Sequence, residues 1–352
     1  MGSVTPEQSA VFRKMLLSLP KAEIHLHLEA LITVESLWKL RQKNALNYQG
    51  VQTKEDLYKK FNISTLNEFI DVFINIIQNS FKTEDDFSYL LEDAGKYLKN
   101  NNIVYAEVFF APTKFIKSGF SFPQMIETLT NGARLIQQKY GIELKYLIDV
   151  SRTFGVDNAM ANLNLTLEYR TDAILGIGLG GTESSPAKEY AAVYQKAREY
   201  GLHVVAHSGE DMGPEAVWDV IQFLQPERIG HGISAAQDKK LVDYLAERRI
   251  PLEICPTSNL FTRKYVSKIE GHPVKLFYDN NIFVTINSDD PTLFSTTLVD
   301  EYMLLYTNGV FSAAETAALL KNNIYASFMP AEKKDALWAE NKKLLTAGTV
   351  DC

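Results

Sequence analysis

His203-Val204-Val205-Ala206-His207-Ser208-Gly209-Glu210 is a short β-branched run that stops abruptly at polar, chemistry-bearing residues. Working outward, the same pattern recurs. The run 228–230 leads into His231-Gly232, and 251–254 leads into Cys255-Pro256-Thr257-Ser258-Asn259. The run 282–286 leads into Asn287-Ser288-Asp289-Asp290-Pro291. Upstream, 23–28 carries His25 and His27 and runs into Glu29, while 103–110, 143–150 and 173–179 bring the β-rich runs to eight. Helical patterns at 123–140, 187–200, 214–224 and 238–248 separate them. Strands alternating with helices predict parallel pairing in βα units. Near-continuous apolar strands such as 103–110 fit burial on both faces. Eight units predict a closed (β/α)8 TIM barrel, with an open doubly wound sheet as the other arrangement. No internal period and no Pro/Gly/Ser-rich linker divides the chain, so residues 1–352 read as a single barrel domain.

The first two runs are separated by far more chain than one helix needs. Segments 36–43, 54–61, 65–78 and 83–100 all carry helical patterns. Thr83-Glu84-Asp85-Asp86 has the form of a capped, acidic first turn. An insertion at this place in a barrel, about 31–100, falls over the catalytic mouth as a helical lid or adds packing surface.

Lys+Arg number 36 and Asp+Glu 43, a net charge of −7. That argues against nucleic acid or an anionic membrane as partner, since both want a basic face. Two cysteines, Cys255 and Cys352, build neither a disulfide framework nor a thiolate zinc site, which points to a reducing cytoplasm. The start lacks a secretory h-region, and Met1-Gly2 lacks the Ser/Thr of a myristoylation motif, with Pro6 in its place. No run reaches membrane-spanning length.

Histidine is scarce, at six, and four of the six lie at strand ends. In a barrel that is where function collects. His25 and His27 are two apart on a strand and share a face. Two adjacent imidazoles suit zinc or a similar divalent ion, or form a hydrogen-bonded core pair. His207 adds a third nitrogen, and the glycine after it turns Glu210 back as a carboxylic acid for proton transfer. Asp289-Asp290 is either a turn before a helix or a buried pair whose charge a metal offsets. Three His and one Asp make a zinc set able to activate a water. His231, between two glycines, reads as a proton handler or a further ligand. The glycine run 176–183 lacks the Lys-Ser/Thr of a phosphate loop, so it reads as a tight turn or as backbone N–H groups facing a flat ligand. His203 and His272 read as structural, and the aromatics of 69–81 and 109–110 as core or lid packing.

These blocks in this order resemble the adenosine deaminase family of the amidohydrolase superfamily. The matching strings are Leu19-Pro20-Lys21-Ala22-Glu23-Ile24-His25-Leu26-His27-Leu28-Glu29, Gly180-Gly181-Thr182-Glu183, His207-Ser208-Gly209-Glu210, Arg228-Ile229-Gly230-His231-Gly232, Cys255-Pro256-Thr257-Ser258-Asn259 and Ser288-Asp289-Asp290-Pro291. The resemblance implies a TIM barrel with one catalytic Zn2+ held by His25, His27, His207 and Asp289. It implies that Glu210 protonates purine N1, that His231 helps generate and steer the attacking hydroxide, and that Asp290 binds N7 and helps position the attacking water. The Gly181 backbone N–H would reach N3. Water activated at the zinc then adds to C6, and ammonia leaves. Binuclear relatives place a modified Lys at the end of strand 4, where this chain has Gly180-Gly181, so the mononuclear type is implied. The resemblance further implies a cytoplasmic purine-salvage enzyme, monomeric or homodimeric, acting on a small purine nucleoside.

Two departures bear on substrate. Adenosine-specific relatives carry Asp-Gly after His-x-His-Leu, the Asp reaching the ribose 5′ region, whereas this chain has Glu29-Ala30. Relatives with Glu there act on adenine or on modified adenosines. Bacterial adenine enzymes replace the strand-4 glycines with Ser-Ser-like residues, and this chain keeps Gly180-Gly181. The expectation is a nucleoside, adenosine or a modified adenosine, with 6-aminodeoxyfutalosine and free adenine as alternatives. Ala30 is expected to be strained if the backbone there needs an angle reserved for Gly.

Overall fold

The computed structural model describes residues 4–348; Met1-Gly2 and Cys352 lie outside the described residues. Eight parallel strands follow one another in chain order: β1 (Lys21–Glu23), β2 (Ile103–Phe110), β3 (Glu143–Asp149), β4 (Ile174–Gly178), β5 (His203–Ser208), β6 (Arg228–His231), β7 (Leu252–Ile254) and β8 (Val284–Ile286). Each pairs with the next, so the sheet curls into a nearly closed (β/α)8 barrel. The expected helices are present at Phe122–Tyr140, Ala191–Glu199 and Lys239–Arg248. The one expected over 214–224 is α-helical only over Pro214–Asp219 and finishes as a π-turn, Val220–Leu224. Among the described residues no helix is long and apolar enough to cross a membrane.

The first strand differs from the sequence reading. Its regular part is Lys21–Glu23 rather than 23–28, and beyond it only single bridges form, Leu26 with Asp289 and His27 with Phe109. The reason lies at the seam, where β8 must meet β1. Backbone groups there need partners even though no ladder runs between the two strands. Side chains supply them. Asn323, on the helix Ala313–Ala326, accepts from Ile286 N at 2.9 Å and donates to Ile286 O at 2.7 Å and to Ala22 O at 3.4 Å. Asn287 Oδ1 accepts from Ile24 N at 3.2 Å. Above these, His27 N donates to Asp289 O at 2.9 Å and Asp289 N to His25 O at 3.3 Å, so the chain closes the barrel at the site itself.

Inside the barrel, Phe109, Leu147 and Val205 form a small apolar layer. Phe109 packs against the rings of His25, His27 and His207, with centroids 5.0, 5.2 and 5.1 Å away. Gly178 makes that possible, because a Cβ there would sit 2.6 Å from the Phe109 ring. Below this layer Arg228 is buried between Glu107 at 2.7 Å and Glu253 at 2.5 Å, with Phe328 stacked on its guanidinium at 3.8 Å.

The insertion after β1 carries the helices Val34–Lys43, Lys54–Lys60, Leu66–Asp71 and Phe87–Asn100. Asp86 closes the turn before the last of these, accepting from Lys82 N and Thr83 N, and ties it to Lys43 at 2.6 Å. The pattern over 65–78 is not one α-helix: past Asp71 it continues as a π-turn, Val72–Ile77. Phe69 on this segment stacks on Phe294 at 5.5 Å and lies 6.3 Å from Phe261. Those two rings follow β8 and β7, so the insertion rests on the C-terminal ends of these strands.

Candidate active site

Four donors converge at the C-terminal mouth. The ligand atoms of His25, His27, His207 and Asp289 all lie within 4.8 Å of one another. Asp289 Oδ1 is 3.4 Å from His25 Nε2 and 3.2 Å from His27 Nε2. His25 Nε2, both ring nitrogens of His207 and Asp289 Oδ1 are buried without a hydrogen-bond partner. Orphaned polar atoms in one small volume are costly unless something else satisfies them. Burial first, then the neighbouring His25, His27 and His231, push the His207 pKa well below its usual value, so its ring is neutral with a lone pair available. Three imidazole nitrogens and one carboxylate fit a divalent ion with zinc's preferences. A second donor group, His231, Cys255 and Asp289, shares the aspartate. Burial pushes the Cys255 thiol pKa well up.

The donors are held by residues behind them. His25 Nδ1 donates to Glu253 Oε2 at 2.7 Å, which leaves Nε2 facing Asp289. Burial opposes a charge on Glu253, yet Arg228 and His25 hold its carboxyl below the usual range. Arg152 Nη2 donates to the His207 carbonyl at 2.9 Å. Replacing Glu253 by Gln removes the acceptor that orients His25. Metal affinity is expected to fall about 10–100-fold. Competition against a chelator reads this directly, and unchanged affinity would remove Glu253 from the metal site's support.

The turn after β5 carries Glu210. The Glu183 carboxylate accepts from the N–H groups of Gly209, Glu210 and Met212, each at 3.0 Å, and so fixes this turn. Gly209 has φ +76°, an angle that favours glycine. Glu210 Oε2 lies 3.4 Å from His231 Nε2, and Ser258 donates to Oε1 at 3.4 Å. Burial, then Asp289, Asp211, Glu183 and Asp290, push the Glu210 pKa well above the carboxylate range, which favours its acid form. Burial and the Asp289 charge likewise raise Asp290 to about 8, and its Oδ1 is buried without a partner. His231 and Asp289 are non-glycine residues at φ +60° and +63°. Backbone strain of this kind collects where side chains must be aimed.

Glu29 is fully buried beside this group. Its Oε1 accepts from Ala111 N at 3.0 Å, while Oε2 has no partner. Burial raises its pKa to about 7. Ala30 is unstrained: it sits in the 3-10 turn Leu28–Leu31 and is not among the residues with positive φ. Gly181 does need to be glycine, with φ +89° and a would-be Cβ 2.5 Å from Thr153 Oγ1. It lies on the turn after β4, where Asp149 Oδ1 accepts from the N–H groups of Gly180 and Ser151 at 2.9 and 2.8 Å.

The structure thus brings His25, His27, His207, Asp289, Glu210, His231 and Asp290 together, with Glu29 adjoining and Gly181 on the β4 turn. The sequence reading assigned no role to Glu253, Glu183 or Asn259. A lone carboxylate inside the apolar strand β7 was the available signal for Glu253. His272, read as plain structure, is joined through Asn259 to His231.

The sequence model of the adenosine deaminase family matches residues 20–343. An aminodeoxyfutalosine deaminase of Streptomyces coelicolor is 32% identical over 334 residues, 94% of this chain and 86% of that protein. An adenine deaminase of Crocosphaera subtropica is 31% identical over 331 residues, 93% of this chain and all of that protein. The solved structure of an adenine deaminase from Arthrobacter aurescens superposes with a TM-score of 0.88 at 27% identity, covering 94% of this chain and 100% of that one. The chain belongs to the adenosine deaminase family.

Proposed function

We propose that the protein is a zinc-dependent aminohydrolase that converts a 6-aminopurine nucleoside, adenosine or an adenosine modified on its sugar, to the 6-oxo product and ammonia. The observation that carries this reading is the placement of two buried carboxyls of raised pKa, Glu210 and Asp290, beside the four-donor cluster. Purine ring nitrogens N1, N3 and N7 are acceptors, so a site for them must present donors. Glu210 in its acid form donates to N1 and draws electron density from C6. Asp290, whose pKa burial and the Asp289 charge raise, faces N7 in its acid form as a donor. The Gly181 N–H serves N3. His25, His27, His207 and Asp289 would hold a zinc ion, which would lower the pKa of a water bound there. The water oxygen bonds to C6. One of its protons passes to the exocyclic nitrogen and the other returns to the Glu210 carboxylate. As the bond from C6 to that nitrogen breaks, it leaves as ammonia, and the 6-oxo product keeps the proton on N1.

In this reading residues 1–352 act as one barrel domain, and the insertion at about 31–100 covers the mouth through Phe69. The buried, unpartnered Oε2 of Glu29 supports a sugar subsite, because a ribose hydroxyl supplies the donor it lacks. Free adenine, the substrate named for the Crocosphaera and Arthrobacter proteins, would leave that oxygen unsatisfied. The modified nucleoside 6-aminodeoxyfutalosine comes first among candidates, given the Streptomyces relative.

Ammonia release from adenine, adenosine, 5′-modified adenosines and 6-aminodeoxyfutalosine, measured side by side, tests the proposal. The best nucleoside is expected to exceed adenine in kcat/KM by at least about 10²-fold, since a site built for a hydroxyl discriminates against a ligand lacking it. A preference for adenine overturns the nucleoside assignment. Absence of ammonia from every compound overturns the deaminase reading.

A further inference from the structure

A chain of hydrogen bonds behind His231 begins at a donor whose identity is not open to choice. The backbone N–H of Val274 donates to His272 Nδ1 at 3.1 Å. That nitrogen therefore carries no proton, and a neutral imidazole must carry its proton on Nε2. His272 Nε2 lies 3.3 Å from Asn259 Oδ1 and donates to it. The Asn259 amide is thereby oriented. The opposite orientation would face Nδ2–H against Nε2–H. With Oδ1 taken, Asn259 Nδ2 donates to His231 Nδ1 at 3.1 Å. His231 Nδ1 is then an acceptor, and its proton is on Nε2, the nitrogen that faces Glu210 Oε2 at 3.4 Å and Asp289 Oδ2 at 4.0 Å. Amide orientations and tautomers are usually settled by weighing a network. Here a main-chain donor settles them in sequence.

We infer that Asn259 and His272 are positioning residues that lock His231 into the tautomer protonated at Nε2, so that His231 presents a hydrogen-bond donor to the reaction centre and does not accept a proton there. All three side chains are buried, so water does not scramble the chain. Burial also pushes the His272 pKa down to about 3, which keeps its ring neutral across the physiological range. Asn259 itself is held by the helix it sits on, Pro256–Thr262, its own N–H bonded to Cys255 O at 2.9 Å. A donor aimed at an oxygen that gains negative charge stabilises that charge without reorganising. The assignment changes the role read from the sequence, in which His231 handles the proton of the attacking water. In the locked tautomer that proton goes to a carboxylate instead.

The inference rests on the deaminase reading only for its kinetic arm, and the decisive measurement needs no turnover. The zinc-loaded protein, labelled with 15N in its six histidines, is examined by long-range 1H–15N correlation. His231 and His272 are expected to show a protonated Nε2 and an unprotonated Nδ1. An Nδ1-protonated His231 overturns the proposal, whatever the activity. The kinetic arm uses substitutions of the two positioning residues. N259L and H272L free the His231 tautomer and are expected to lower kcat about 10–100-fold, with KM within about threefold and zinc retained. H272Q keeps an acceptor for Val274 and a donor for Asn259, and is expected to restore kcat to within about threefold of the parent. Full kcat in zinc-loaded N259L or H272L overturns the proposal. If those variants fail to fold, the spectrum of the parent protein decides. If no purine is deaminated, the proposed function fails while the tautomer remains readable.

Discussion

Glu210→Gln is expected to keep its metal and lose about 10²–10⁴ in kcat, the range for removing a positioned general acid. The substitution is nearly isosteric. An amide can still donate a hydrogen bond to a ring nitrogen, but it cannot transfer a proton to it. The backbone cannot compensate, because three N–H bonds to Glu183 fix the turn that carries residue 210. The pH profile separates this role from simple packing. Burial and the charges of Asp289, Asp211, Glu183 and Asp290 raise the Glu210 pKa well above its usual value. The acid form therefore persists above the ordinary carboxylate range, and kcat/KM falls as pH rises through the raised pKa. That alkaline limb should vanish in the glutamine variant. The linkage runs the same way for stability. A group whose folded pKa is raised contributes stability that is present below its unfolded pKa and lost as pH rises through the folded one. Unfolding free energy should thus decline less with rising pH in Glu210→Gln than in the parent. Full activity in a metal-replete variant would remove Glu210 as the acid.

Strands buried on both faces were the easiest part of this fold to read. The run 103–110 is β2 residue for residue, and 143–150 overshoots β3 by one, because a near-continuous apolar run between polar turns has few other uses. The first strand was misplaced because its neighbours are set by closure. Asn323 and Asn287 bridge the seam from the far end of the chain, and nothing near residue 21 records that. The segment 65–78 has an apolar pattern that an α-helix and a π-turn share, so its break at Val72 is invisible locally.

The same division holds at the site. His207, His231 and Asp289 stood out because polar residues ending apolar strands are conspicuous in a barrel. Glu253, Glu183 and Asn259 did not, since what each does depends on cross-strand register. Glu253 meets His25 only because closing the barrel brings β7, through β8, beside the segment that follows β1, 228 residues apart in the chain. Asn259 stands within a matching string, yet its role needs His272 on a different loop. Residues that touch the chemistry leave local marks, whereas those that aim them become visible only through contacts.

Stripping the metal with a chelator is expected to abolish turnover and to lower stability by roughly 4 kcal/mol relative to protein held at about 1,000 times its metal Kd. The metal-free site explains the second effect. It leaves His25 Nε2, both ring nitrogens of His207 and Asp289 Oδ1 buried without hydrogen-bond partners. Burial opposes a charge on His27, but the neighbouring carboxyls Asp290 and Asp289 raise its pKa, which favours a protonated ring in the metal-free site. A ligand nitrogen must give up that proton before it can bind. Loading at pH 7 should therefore release at least about one proton per ion into weakly buffered solution, and affinity should fall as pH drops. His207 behaves differently, since its ring is already neutral. His207→Ala should weaken binding while leaving the proton release intact, and His27→Ala should reduce both. Elemental analysis should find one ion per chain. Two ions would favour a binuclear hydrolase, and an unchanged melting temperature on chelation would dismiss the four donors as a metal site.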